Sequence, residues 1–318
     1  MGITQAFVLG AGLGTRLRPL TEDLPKPLVP IFQKPLITFA FDHLIDIGIA
    51  KFFVNTHHHA GRFAEEFPQS RYRDRTIEFF HEPDLLETAG GIANIAPALK
   101  RESLLVYNGD ILTDLPLAPL IEHHFRNENV VTLALRSNAE PKHIAFDRRS
   151  GAIIDIRNQL GTGAPDELVF TGIYIVEPSF VARLERGVKR SVIPHFLELI
   201  KENQKIGGVV IDDGHWWDVR DRSWYRTLHN DLPGLPFPRY PVGDPEWRSD
   251  VHPTATVDPS AEVRGVSVIG KQCRVEAEAI VEDTILWPGS QIASRSHLVG
   301  CIVRSHRRAE GIHRGVDI

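Results

Sequence analysis

The stretch from Phe7 to Leu28, FVLGAGLGTRLRPLTEDLPKPL, carries most of what can be read from this chain. A short apolar run ends in Gly10, Gly12 and Gly14, which let the backbone turn tightly and present amide N–H groups to an anion. A dinucleotide fingerprint would need G-x-G-x-x-G opening an uninterrupted helix, whereas here the spacing is G-x-G-x-G and Pro19 soon follows. A Walker loop would need Gly-Lys-Ser/Thr, which the stretch lacks. It carries cations instead: Arg16, Arg18 and Lys26, with Lys34 just beyond, on a loop stiffened by Pro19, Pro25, Pro27, Pro30 and Pro35. Arginine forks match phosphate oxygens and a lysine ammonium acts as a point charge, so a rigid basic loop of this kind suits a triphosphate.

The rest of the chain is compatible with a cytoplasmic protein. Its 318 residues suffice for two domains, and 42% apolar and 24% charged residues are ordinary globular values. A formal charge of −5 gives no reason to expect nucleic acid or a membrane as partner. Cys273 and Cys301 cannot form a disulfide framework or a zinc ribbon, and AFVLGAG is too short for a signal peptide, so Met1 is read as the start.

Up to about Asp231, β-rich runs alternate with helical patterns, which predicts a parallel sheet covered by helices. The strands are QAFVLG, KFFVNT, TIEFFH, SLLVYNGD, VVTLALR, HIAFD, AIIDIR, LVFTGIYIV and KIGGVVID. ITFAFDHLIDIG reads as a helix closed by Gly48, and PLAPLIEHHFRNE as one opened by proline. Residues 232–250 are proline-rich and aperiodic and read as a linker. From Val251, steps of six give Val257, Val263, Ile269, Val275, Val281, Trp287, Ala293 and Val299. Ala255, Ala261, Ser267, Cys273 and Ala279 lie four places after the first five. This hexapeptide period predicts a parallel β-helix over 251–304, followed by a charged, frayed tail at 305–318.

GAGLGTRLRPLTEDLPKPLVPIFQKPL resembles the signature of the sugar-1-phosphate nucleotidylyltransferases, and EPDLLETAGGI, VYNGDIL and GHWWDVRD agree with it in order. The resemblance spans about residues 5–230 and implies a Rossmann-like doubly wound mixed sheet in a catalytic domain at 1–231, with a left-handed β-helix behind it. It implies a nucleotide held by Leu9, Ala11 and Gly12, with Gly14 and Arg16 at the leaving pyrophosphate and Lys26 at the α-phosphate. Glu82, Ala89 and Gly90 would lie at the base, with Asn108 also on the nucleotide. Thr171 and Gly172 would lie at the sugar. Asp110, at the C-terminal end of a strand, and Asp218 would give Mg²⁺ two oxygen ligands, with phosphate and water completing its shell.

The implied reaction joins a nucleoside triphosphate to a sugar 1-phosphate. The region around Thr171 lacks the Glu-Lys and Asn-Ala-Gly stretches of many thymidylyl and uridylyl members. N-acetylmuramate or hexosamine with UTP, and mannose with GTP, both stay open. Two other readings are weighed. A non-catalytic regulatory subunit would be expected to have lost a carboxylate or the motif lysine, and a hexapeptide acyltransferase would need more than His252 and His297 near the ends of the coil. The His57–His59 run is read as a strand end, because consecutive residues cannot all face one ion. Because of its open end, the β-helix is expected to pack on the catalytic domain or on another subunit, which leaves a homo-oligomer open.

Overall fold

Buried for nearly its whole length, QAFVL forms β1 (Gln5–Leu9) in the middle of a ten-stranded mixed sheet. The computed structural model describes residues 2–318. A short antiparallel pair, β2 (Pro30–Ile31) and β3 (Lys34–Pro35), leads into α1 (Leu36–Asp46) and β4 (Lys51–Thr56). Then come α2 (Gly61–Glu66), the edge strand β5 (Arg71–Tyr72), its neighbour β6 (Arg75–His81), and α3 (Glu87–Ile95). They are followed by β7 (Leu104–Asn108), the short β8 (Ile111–Thr113) and α4 (Ala118–Asn127). After β9 (Val131–Arg136), the hairpin β10 (Ile144–Asp147) and β11 (Ala152–Ile156) precedes β12 (Val169–Val176). The N-terminal half closes with α5 (Pro178–Val181), α6 (Val192–Lys201), β13 (Ile206–Val210), β14 (Trp216–Asp218) and α7 (Arg222–Asp231).

In space the strands run β10-β11-β13-β9-β12-β7-β1-β4-β6-β5. β1 is parallel to both β4 and β7, so the chain winds outward through β4 and β6 and then returns to the other side of β1. That reversal leaves a crevice beyond the C-terminal ends of β1 and β7, where doubly wound sheets bind ligands. Strand and helix alternation alone predicts all-parallel pairing, yet β12 runs antiparallel to β7 and β9. The reason is local: a tight turn closed by Gly151 N–H on the Asp147 carbonyl makes β10 and β11 a hairpin, and no crossover helix separates β11 from β12.

Residues 232–250 contain no strand, but they are not a free tether. Phe237, Tyr240 and Trp247 are buried, Tyr240 stacking on His43 and Trp247 meeting Phe39 edge-on. The β-helix that follows has three parallel sheets of four, four and three strands. Its first coil takes eighteen residues, from Val257 to Val275, and the next takes seventeen, from Val275 to Ile292. The strict six-residue step therefore slips after Val281, and the inward positions become Leu286, Ile292, Leu298, Val303 and Ala309. Trp287 instead packs with residues of the N-terminal half. The same slip hides the repeat in the tail. Arg308–Ala309 and Ile312–Arg314 pair in parallel with the coil before them, so 305–318 is an ordered coil and not a frayed end.

The two halves share one apolar cluster. Leu17 and Leu20 of the glycine-rich loop and Tyr225 and Leu228 of α7 pack with Val268, Ile285, Trp287 and Ile302 of the β-helix. Trp287 Nε1 donates to the Tyr225 hydroxyl at 3.0 Å, which donates to the Pro30 carbonyl at 2.6 Å. His229 Nε2 accepts from Phe32 N–H and its Nδ1 faces the Tyr225 carbonyl, so the ring is neutral; burial pushes its pKa down to about 4. No helix among the described residues is long and apolar enough to cross a membrane. Trp287→Ala removes the central side chain of this seam and is expected to cost about 3–5 kcal/mol. Urea unfolding followed by tryptophan fluorescence and circular dichroism should show a lower midpoint and the two halves melting apart.

Candidate active site

The crevice at β1 and β7 holds a cavity of about 470 Å³. One wall is the glycine-rich loop, residue 9 and residues 11–16, with Lys26 and Pro27; the floor is Asn55, Asn108 and Asp110. Leu85, Glu87, Thr88 and Ser191 form the facing wall and Arg220 the rim. Gly14 has φ +60°, and a Cβ there would come within 3.0 Å of Thr21 Cγ2 and 3.1 Å of Lys26 Cβ. Glycine at this position lets the loop fold back on Lys26. A Cβ on Gly12 would meet nothing within 4 Å, which leaves its backbone open to the cavity.

Lys26, Asp110 and Asp218 form the charged centre. Lys26 Nζ lies 2.7 Å from Asp110 Oδ2 and 3.7 Å from Asp218 Oδ1, and its side chain is only 7% exposed, against 36% and 30% for the carboxylates. Three separate elements meet here. Asp110 follows β7, and Asp218 is brought beside it because β14 pairs antiparallel with β8, setting Asp218 opposite Ile111. Burial, and then the neighbouring charge of Asp110, raise the pKa of Asp218, against the opposing pull of Lys26, Arg16 and Arg220. Among the described residues no group of three or more His, Cys, Asp or Glu side chains gathers to hold a metal. Two carboxylates that repel one another beside a phosphate loop nevertheless suit a divalent ion whose remaining ligands are phosphate oxygens and water.

Of the residues singled out from sequence, Leu9, Ala11, Gly12, Gly14, Arg16, Lys26, Asn108 and Asp110 line the cavity, and Asp218 sits behind Lys26. Five others do not face it. Glu82 is fully buried and works from behind. Its Oε1 accepts from Asn55 Nδ2 at 2.8 Å and its Oε2 from Leu86 N–H at 2.9 Å, and Asn55 Oδ1 in turn accepts from Gly10 N–H at 2.8 Å. Burial raises the Glu82 pKa, opposed by these hydrogen bonds. The Ala89 and Gly90 N–H groups, expected to read the base, already donate to the Arg190 carbonyl at 2.9 and 3.2 Å. Their neighbours Leu85, Glu87 and Thr88 face the cavity instead. Thr171 turns its hydroxyl into the sheet, donating to the Ala134 carbonyl at 2.9 Å. Gly172 has φ +86° and packs on Asn108, where a Cβ would come within 2.5 Å of Nδ2, so its role is to let that amide sit close.

Lys34 does not line the cavity. It is buried, 2.5 Å from Asp42 Oδ2 and 2.6 Å from the Tyr72 hydroxyl. Two histidines of the 57–59 run meet backbone carbonyls of other segments, His57 that of Glu82 and His59 that of Glu22. Asn55, Thr88, Ser191 and Arg220 were not found from sequence. Asn55 carries a signal as a polar residue closing the apolar strand KFFVNT, and Thr88 and Arg220 lie within the quoted stretches EPDLLETAGGI and GHWWDVRD; Ser191 carries none. Glu82→Gln leaves an amide facing the Leu86 N–H, and we expect it to cost about 1–3 kcal/mol and to raise the KM for nucleotide. Thermal unfolding together with steady-state kinetics checks both.

The family model described as nucleotidyl transferase matches residues 5–232. The chain is 28% identical over 305 residues to a mannose-1-phosphate guanylyltransferase of Mycobacterium tuberculosis, covering 94% of this chain and 82% of that protein. It is 30% identical over 217 residues to an N-acetylmuramate alpha-1-phosphate uridylyltransferase of Neisseria meningitidis serogroup B, covering 68% and 92%. In fold it is similar to the crystal structure of HddC from Yersinia pseudotuberculosis, with a TM-score of 0.59 at 20% identity over 71% of this chain and 98% of that one. The chain belongs to the nucleotidyl transferase family and is an enzyme of its sugar-1-phosphate nucleotidyltransferase class.

Proposed function

We propose that this enzyme joins GTP and a mannose-type sugar 1-phosphate, releasing pyrophosphate, with the bond made at the cavity mouth beside Lys26. The observation that carries the reaction is the Lys26–Asp110–Asp218 cluster facing a loop whose backbone is open at Gly12. A phosphate oxygen of the sugar 1-phosphate attacks the α-phosphorus in line. The new P–O bond forms as the bond to the β-phosphate oxygen breaks, and the electron pair leaves with pyrophosphate. Arg16, exposed at the loop tip, is placed to take charge on the leaving β,γ-phosphates, and Lys26 to neutralise the α-phosphate. No covalent enzyme intermediate is needed; the protein contributes position and charge.

Asp110 and Asp218 would hold Mg²⁺, which supplies charge neutralisation across the phosphates. Lys26 then has a second duty, holding the two carboxylates together before the substrates arrive. The nucleotide would lie along residues 9–16 and Asn108, with its base toward Leu85, Glu87 and Thr88, and the sugar on the side of Gly172. GTP and mannose are favoured because similarity to the guanylyltransferase runs through both halves of the chain. UTP with N-acetylmuramate 1-phosphate is the second reading, supported by 30% identity over 217 residues to the uridylyltransferase. Family resemblance also supports a left-handed coil. A cytoplasmic setting agrees with two free, buried cysteines, and self-association is read onto the first coil, where Val251 and Val263 stay exposed.

A matrix of nucleoside triphosphates against sugar 1-phosphates, scored by pyrophosphate release, decides the substrates; the strongest signal is expected for GTP with mannose 1-phosphate. In the same assay Asp110→Asn should reduce kcat by roughly 100-fold or more while leaving the fold, as loss of a transition-state charge partner does. Unchanged turnover would remove Asp110 from the centre. Because Asp218 holds its proton to higher pH than an ordinary aspartate, apparent Mg²⁺ affinity should fall on acidification before a normal carboxylate would titrate. Titrating Mg²⁺ across a pH series reads this directly.

A further inference from the structure

The glycine-rich loop is held from two sides, and its outer side is held by the β-helix. Leu17 and Leu20 are anchored in the apolar seam with Ile285, Trp287 and Ile302. Just past them, Arg304 reaches across from the last coil. Its Nη1 lies 3.0 Å from the Pro19 carbonyl, 3.1 Å from Glu22 Oε2 and 3.1 Å from Asp23 Oδ2. Arg307 adds a second contact to Asp23 at 2.9 Å, and that hydrogen bond is the main reason the Asp23 pKa lies below the usual carboxylate value.

The arginine itself stands on a rigid base. Its backbone N–H donates to the Ile318 carbonyl at 2.9 Å, and the strand before it, Ile302–Val303, pairs with Ile285–Leu286. Only 14% of its side chain is exposed, although Glu22 and Asp23 are about half exposed. Exposed ion pairs add little to stability, so the consequence of this contact lies in geometry. The loop bends between Pro19 and Asp23, and the residues placed on the phosphates, Arg16 and Lys26, are three positions to either side of that bend. Gly14, whose carbonyl accepts from the Thr21 hydroxyl at 2.8 Å, transmits the position of the bend to the cavity wall.

We propose that Arg304 of the β-helix is a positioning residue for nucleotidyl transfer: by gathering the Pro19 carbonyl, Glu22 and Asp23 it sets the phosphate loop so that Arg16 and Lys26 face the nucleotide. The β-helix is then part of the active site's construction, though none of its residues lines the cavity. The catalytic half of this assignment rests on the proposed roles of Arg16 and Lys26; the anchoring half does not.

The test uses the full chain with Arg304→Ala, Arg304→Lys and the double variant Glu22→Gln/Asp23→Asn. Hydrogen exchange by mass spectrometry should show amides in 15–24 exchanging about 10-fold faster in Arg304→Ala, with the central sheet unchanged. The kcat for pyrophosphate release should fall roughly 10- to 100-fold, because a small misplacement of charged groups is costly in the transition state. Arg304→Lys, which keeps one charged donor, should recover part of the rate, and the double variant should fall between wild type and alanine. If Arg304→Ala fails to fold, the double variant carries the same test from the loop side. Loop exchange equal to wild type, or faster exchange with kcat and KM unchanged, overturns the proposal. Exchange needs no substrate, so a wild-type protein that releases no pyrophosphate would fail the reaction proposed above and leave the anchor to be judged separately.

Discussion

A nearly buried lysine cannot stand alone, and much of this enzyme's architecture follows from giving Lys26 its partners. Leaving its ammonium unpaired would be far more costly than any surface contact could offset, so Asp110 and Asp218 must converge on it. That convergence needs the loop after β1, the turn after β7 and the β8–β14 pair to end at one point. The same point is where the winding of the sheet reverses. The electrostatic centre and the crevice thus coincide because both lie at the C-terminal ends of adjacent parallel strands.

Behind that centre, a second layer of polar contacts fixes what the cavity shows. Glu82, Asn55 and Gly10 form a chain from a buried carboxylate to the first amide of the loop. It allows a carboxylate with no access to substrate to control the loop's starting angle. Thr171 and Gly172 act similarly on the opposite side, one by bonding into the sheet and the other by making room for Asn108. Several residues that looked like ligands are in this supporting layer, where the need for hydrogen-bond satisfaction is strongest.

How much was legible depends on whether a feature is local. The nine strands, the glycine-rich loop and the pair Asp110 and Lys26 could be read because each depends on neighbours along the chain. The fate of Lys34 could not, since it is decided by Asp42 and by Tyr72, which arrives from an edge strand. Ser191 carries no local pattern and reaches the cavity only through the return of a distant segment. The ordered final coil was missed for a different reason: two seventeen-residue turns broke a period sought at strict multiples of six.

By itself the sequence determined the two-part organisation, a loop that is basic and glycine-lined, and the family. Those properties are written in spacing and residue type, which survive without knowing what lies opposite. Only the tertiary structure decided which candidates face the cavity and which hold it from behind, and that the β-helix grips the loop. Burial, charge pairing and backbone satisfaction are properties of what surrounds a residue, and here those surroundings come from segments as far apart as Pro19 and Arg304.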